Sequence, residues 1–128
     1  MKKLTLIFFL IFSSYTFSQI EEVPKYYKLY PTDNLYVFLK LNTKLGYIWL
    51  DQWSIEDETR FSNILNWKSL VDIDDLTIDE IENLPAGRFE LYPTQNIYNF
   101  MLLDVTDGRT WQVQWSLDSD NWAVIEID

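Results

Sequence analysis

The chain has 128 residues, room for one domain, and a formal charge of −10, with ten Lys and Arg against twenty Asp and Glu. It contains no Cys and no His. The charge argues against a nucleic-acid or anionic-membrane surface, and the missing imidazole removes His-based triads, His proton relays and the common zinc sites.

The first residues read as a signal peptide. Lys2 and Lys3 are followed by an apolar run at 4–12 and a polar stretch at 13–18, with Thr16 and Ser18 before the junction at Gln19. The apolar run is shorter than a bilayer span; the other reading is a short buried N-terminal helix or strand. Cleavage after residue 18 would leave a chain with eight basic and twenty acidic residues, net −12, exported to the periplasm or cell exterior. No later stretch is apolar enough for a membrane helix. Without disulfides the exported domain must be held by its core, and 48% of the chain is hydrophobic and 17% aromatic.

In chain order, residues 26–30 suit a strand from their aromatic content. Pro31, Thr32, Asp33 and Asn34 suit a turn. Residues 35–41 suit a strand, 42–46 a turn ending at Gly46, and 47–55 a third strand, with a fourth at 60–66. The connector, 67–87, holds the one helical signal. Thr77 and Glu80 fit a capping box, Ile78, Ile81 and Leu84 share a face, and Pro85 and Gly87 stop the helix. Residues 88–92, 97–103, 109–117 and 122–127 are the remaining strands. The last hairpin signal, Asp107-Gly108, predicts a three-residue loop at 106–108. That loop would set Val105 opposite Arg109, Leu103 opposite Trp111, Met101 opposite Val113 and Asn99 opposite Trp115.

The second half repeats the first. Residues 29–54 and 91–116 align without a gap at an offset of 62, and half of the 26 positions are identical, against about two expected by chance. They include Leu29/Leu91, Tyr30/Tyr92, Asn34/Asn96, Phe38/Phe100, Trp49/Trp111, Gln52/Gln114, Trp53/Trp115 and Ser54/Ser116. An internal repeat of this kind is a statement about architecture. The expected fold is all-β: two tandem antiparallel repeats of about eight strands in total. They would form a pseudo-twofold sandwich or small barrel, with repeat 1 at about 26–66, the short helix in the connector and repeat 2 at 88–128. Two propeller-like blades are the alternative, and their open edges would favour a homodimer.

The shared aromatics, Tyr36, Phe38, Trp49 and Trp53 with Tyr98, Phe100, Trp111 and Trp115, suit either a core or a platform for sugars or a protein partner. A small domain without disulfides favours the core for the tryptophans. Gln52, Ser54, Gln114 and Ser116 alternate with apolar residues and would line a polar strand face. Tyr30, Asn34, Tyr92 and Asn96 would border turns at one end. These eight are the candidate binding residues. No catalytic residue, metal ligand or cofactor site emerges. Asp72 and Asp74 start like a calcium loop, but Leu76 and Thr77 stand where an oxygen ligand and Gly belong. Asp118 and Asp120 fail at Trp122 in the same way.

The stretch from Gly87-Arg88-Phe89 through Asp104-Val-Thr-Asp-Gly108-Arg-Thr-Trp111, with the Thr-Phe-Ser-Gln junction, resembles small secreted proteins of Bacteroidota. In those a strand enters an Asp-x-x-x-Gly hairpin followed by Trp or Tyr. Repeat 1 departs from this, with Asn42 for the Asp and Leu45 before the Gly. The resemblance implies export and no particular activity, so no functional residue carries over from it. The sequence therefore favours a non-enzymatic exported binding module for a protein or carbohydrate. A carboxylate-dependent enzyme acting on glycans and a self-associating envelope protein are the alternatives.

Overall fold

The computed structural model describes Val23 and residues 25–128; the signal-peptide expectation for residues 1–18 lies outside the described residues. Eight strands form two four-stranded antiparallel sheets. Sheet one runs in sequence order through β1 (Tyr27–Pro31), β2 (Val37–Asn42), β3 (Ile48–Gln52) and β4 (Phe61–Ile64). Sheet two does the same through β5 (Phe89–Pro93), β6 (Asn99–Asp104), β7 (Thr110–Gln114) and β8 (Ala123–Ile127). The sheets are not closed into a barrel, and the architecture is that of a sandwich. The one α-helix among the described residues, α1 (Ile78–Glu82), lies in the connector. No helix among them is long and apolar enough to cross a membrane.

The turn chemistry repeats as the sequence does. Thr32 Oγ1 donates to the Val37 carbonyl at 2.8 Å and Asn34 Oδ1 accepts from Tyr36 N at 2.9 Å. Thr94 and Asn96 make the same bonds to Asn99 and Tyr98, at 2.8 and 3.0 Å. These side-chain turns explain why β2 and β6 start two residues later than expected. In the helix, Thr77 Oγ1 accepts from Glu80 N and Glu80 Oε2 accepts from Thr77 N, both at 3.2 Å, which is the expected capping box. The expected apolar face is only partly used: Leu84 packs on the core, while Ile78 is exposed.

The β6–β7 hairpin corrects the expected register. Leu102, not Leu103, lies opposite Trp111; Phe100 faces Val113 and Asn99 faces Gln114. The loop has four residues, not three. Asp104 N donates to the Arg109 carbonyl and Gly108 N to the Asp104 carbonyl, both at 2.9 Å. Asp104 Oδ1 takes Thr106 N at 3.0 Å, so its side chain closes the loop one residue earlier than an Asp107-Gly108 turn would. Asn42 does the same in repeat 1, accepting from Lys44 N and Leu45 N. Gly46 occupies the left-handed region, φ +82°, and a Cβ there would meet Leu70 at 2.9 Å.

The twofold relation between repeats is also corrected. Sheet one buries Val37, Leu39, Leu41, Ile48 and Leu50. Their counterparts in sheet two, Asn99, Met101, Leu103, Thr110 and Gln112, lie on its outer side. Sheet two instead buries Phe100, Leu102, Trp111 and Val113, whose counterparts Phe38, Lys40, Trp49 and Asp51 lie on the outer side of sheet one. A twofold axis would give equivalent residues equivalent surroundings, and here the two inner faces are opposite faces of the repeat. Residue chemistry gives the reason. Each repeat turns inward the face that is apolar at mid-sheet, because burying Lys40 and Asp51, or Asn99, Thr110 and Gln112, would require new partners for each; Asp104, the buried charge at the end of β6, has such partners.

This difference separates two identical tryptophans. Trp53 and Trp115 donate from Nε1 to the carbonyls of Leu35 and Ile97, both at 2.9 Å. Yet Trp115 is 2% exposed and Trp53 43%. Trp115→Ala is expected to cost about 3–5 kcal/mol in urea unfolding, and Trp53→Ala about 1–2 kcal/mol, chiefly its hydrogen bond and partial burial. Gly46→Ala is expected to cost about 1–3 kcal/mol, from strained backbone and the Leu70 overlap; the unfolding midpoint of that variant checks it.

Candidate functional site

The turns that begin β2 and β6 bring side chains from both repeats to one end of the sandwich. A cleft of about 360 Å³ is lined by Asn96, Tyr98, Asn99, Gln114, Ser116 and Asn121, with Trp115 and Leu117. A second cleft, about 260 Å³, shares Tyr98, Trp115 and Leu117 with the first and is completed by Asp33, Asn34 and Ile97. The ring of Tyr98 packs on Trp115 with centroids 5.3 Å apart and planes at 54°. Trp115 is the buried foundation of this pair, and Tyr98 is its exposed member. The rim is amide-rich and held in place. Gln114 Nε2 donates to the Asn121 carbonyl at 2.8 Å, and Gln112 Nε2 to Asn99 Oδ1 at 2.8 Å. Ser116 Oγ accepts from Asp118 N at 2.9 Å.

Four of the eight candidate residues, Asn34, Asn96, Gln114 and Ser116, line these two adjoining clefts. The other four do not. Gln52 donates to the Thr59 carbonyl and Ser54 accepts from Glu56 N, both at the matching end of sheet one. There Gln52 borders a largely apolar hollow with Leu29, Phe38, Trp53 and Phe61. Tyr30 packs against the core. Tyr92 is exposed on sheet two and donates to Glu90 Oε2 at 2.6 Å, which raises its phenol above the ordinary value. The candidate residues read from the sequence leave out Tyr98, weighed only among the shared aromatics as core or platform, and leave out Asn99 and Asn121. For Asn99 a signal existed: the other repeat has Val37 at that position.

The strongest electrostatic feature lies elsewhere. Asp104 is fully buried. Arg88 contacts its Oδ2 through Nε and Nη2, both at 2.9 Å, and Thr106 donates from N and Oγ1 to Oδ1 at 3.0 and 2.7 Å. Arg109 approaches at 3.5 Å and also reaches the Leu70 carbonyl at 3.3 Å. Burial alone would push this carboxyl up, but the Arg88 and Thr106 hydrogen bonds outweigh it and hold Asp104 well below the usual carboxylate range. With both oxygens occupied, Asp104 is a structural staple of the hairpin and not a proton donor. Among the described residues no three Asp or Glu side chains are placed to hold a metal ion.

Comparison with protein-family models, with curated proteins and with solved structures returned no match to this chain.

Because the folded state lowers the Asp104 pKa, its stabilisation is complete above the unfolded value near 4 and is lost as pH falls below that. Urea midpoints are expected to drop between about pH 4 and pH 2 in the parent chain and to drop less in Asp104→Asn. Asp104→Ala is expected to cost about 3 kcal/mol at pH 7.

Proposed function

We propose that the chain is an exported, non-enzymatic binding module for an uncharged, hydroxyl-rich ligand such as an oligosaccharide, held at the joined clefts around Tyr98. The observation that carries this is the convergence of an exposed aromatic ring with Asn96, Asn99, Gln114, Ser116 and Asn121. A sugar offers an apolar C–H face that stacks on such a ring. Its hydroxyls donate and accept in the same way as amides. The first cleft carries no ionisable side chain beyond the Tyr98 phenol, so it offers binding groups and no carboxylate pair for glycoside hydrolysis. Net charge favours neutral ligands over acidic polysaccharides. Export is supported by Lys2, Lys3 and the apolar run that follows them.

Titration calorimetry with neutral hexasaccharides of glucose and of N-acetylglucosamine tests the reading. One of them is expected to bind, and Tyr98→Ala to weaken it about tenfold or more. Trp53→Ala, in the other sheet, is expected to leave the affinity unchanged. Absence of binding to every neutral glycan, or equal loss in both variants, would set the proposal aside.

A further inference from the structure

Four apolar positions are identical between the repeats and lie on the same face of the repeat: Leu29/Leu91, Phe38/Phe100, Trp49/Trp111 and Trp53/Trp115. In repeat 2 this face is the inner face. Leu91 is 3% exposed and Trp115 2%, packed beneath sheet one. In repeat 1 the same face is the outer one, with Leu29 61% exposed and Trp53 43%. Packing accounts for these residues in repeat 2. In repeat 1 no sheet among the described residues covers them.

The fold itself shows what covers such a face. The inner contact joins two unlike faces: the one carrying Leu39, Leu41 and Leu65 in sheet one, and the one carrying Leu91, Phe100 and Trp111 in sheet two. Because the contact is between unlike faces, it leaves one of each open. The outer face of sheet two carries Met101, Leu103 and Ile127, the counterparts of Leu39, Leu41 and Leu65, together with Ile125. Ile125 and Ile127 are both exposed. The outer face of sheet one is the counterpart of the face such a surface packs on. We propose that a second copy of this chain docks there: the outer face of sheet two of one copy packs on the outer face of sheet one of the next, repeating between chains the contact that holds each chain together.

The contact is heterologous, so it gives a ring where the rotation between chains closes and an open filament where it does not. Both surfaces have polar centres that the inner contact lacks. Lys40 Nζ lies 3.1 Å from Asp51 on sheet one, and Gln112 bonds Asn99 at 2.8 Å on sheet two. The apolar residues therefore frame hydrated, already paired groups. Such an interface binds reversibly and leaves each chain folded alone, unlike an obligate dimer whose interface is continuous core.

The test is sedimentation of the purified chain and of two variants, Leu29→Lys and Ile125→Lys. Both positions are exposed, so unfolding midpoints should match the parent. Lysine lowers the net negative charge, so lost association cannot be ascribed to added repulsion between acidic chains. The parent is expected to associate with rising concentration, and each variant to be monomeric. An equimolar mixture of the two variants is expected to associate, since it offers one intact face of each kind. A parent that stays monomeric to about 1 mM would overturn the proposal. So would association that Leu29→Lys abolishes and Ile125→Lys does not, because that pattern means two like faces meeting.

Discussion

The packing of Leu39, Leu41, Ile48 and Leu50 onto Phe89, Leu102, Trp111 and Trp115 is the interaction on which the molecule depends. A four-stranded meander exposes one apolar face unless another layer covers it, and no helix among the described residues is long enough to do so. α1 is a single short segment, and only the flanking connector residues Leu70, Val71, Ile73 and Leu84 reach the core. The sheets must therefore cover each other. With no disulfide available, burial of large side chains between them carries the stability.

The two sheets are joined by a few polar contacts at one corner. Thr43, fully buried in the β2–β3 loop, donates to the Lys25 carbonyl at 2.7 Å and accepts from Gly87 N at 3.0 Å. Its carbonyl takes Phe89 N at 2.9 Å. The end of β2 thus sets where β5 begins. Asp104, at the corresponding hairpin of sheet two, fixes the loop and draws in Arg88 and Arg109, and Arg109 reaches back to the connector at Leu70. The buried charge is tolerated because every oxygen lone pair of consequence has a donor. Both hairpins end on a side-chain oxygen that accepts backbone amides, Asn in one repeat and Asp in the other.

The clefts around Tyr98 follow from the same geometry. Because sheet two turns its Trp115 inward, the indole is a rigid floor, and Tyr98 stands on it. In repeat 1 the equivalent pair, Tyr36 and Trp53, has centroids 5.0 Å apart, but no sheet among the described residues lies above it and both rings remain exposed. One duplicated pair has become a supported ring beside an amide-lined cleft. The other has become part of an open apolar face bordered by Leu29 and Phe38. Equal local structure has yielded unequal surfaces, because the environment above each pair differs.

Elements that rest on local chemistry were legible in the amino-acid sequence. The repeat, the eight strands, the Thr-x-Asn turns and the Thr77–Glu80 capping box all follow from period-two alternation and side-chain hydrogen bonds spanning a few residues. Half of the candidate site was legible for the same reason: Asn34, Asn96, Gln114 and Ser116 sit at ends of elements that the sequence places. Tertiary structure alone decided the rest. Both faces of each repeat carry apolar side chains, so which face turns inward depends on the sheet opposite and on where Lys40, Asp51, Asn99 and Gln112 would lose water. That choice buries Trp115 and leaves Trp53 open, sends Tyr30 to the core and Tyr92 to the surface, and sets the exposed Tyr98 on a buried indole. The hairpin register rests on a side-chain oxygen at the strand end, Asn42 in repeat 1 and Asp104 in repeat 2, which accepts loop amides and closes a four-residue loop where Asp107-Gly108 alone suggests three; tertiary structure added the burial of Asp104 beside Arg88.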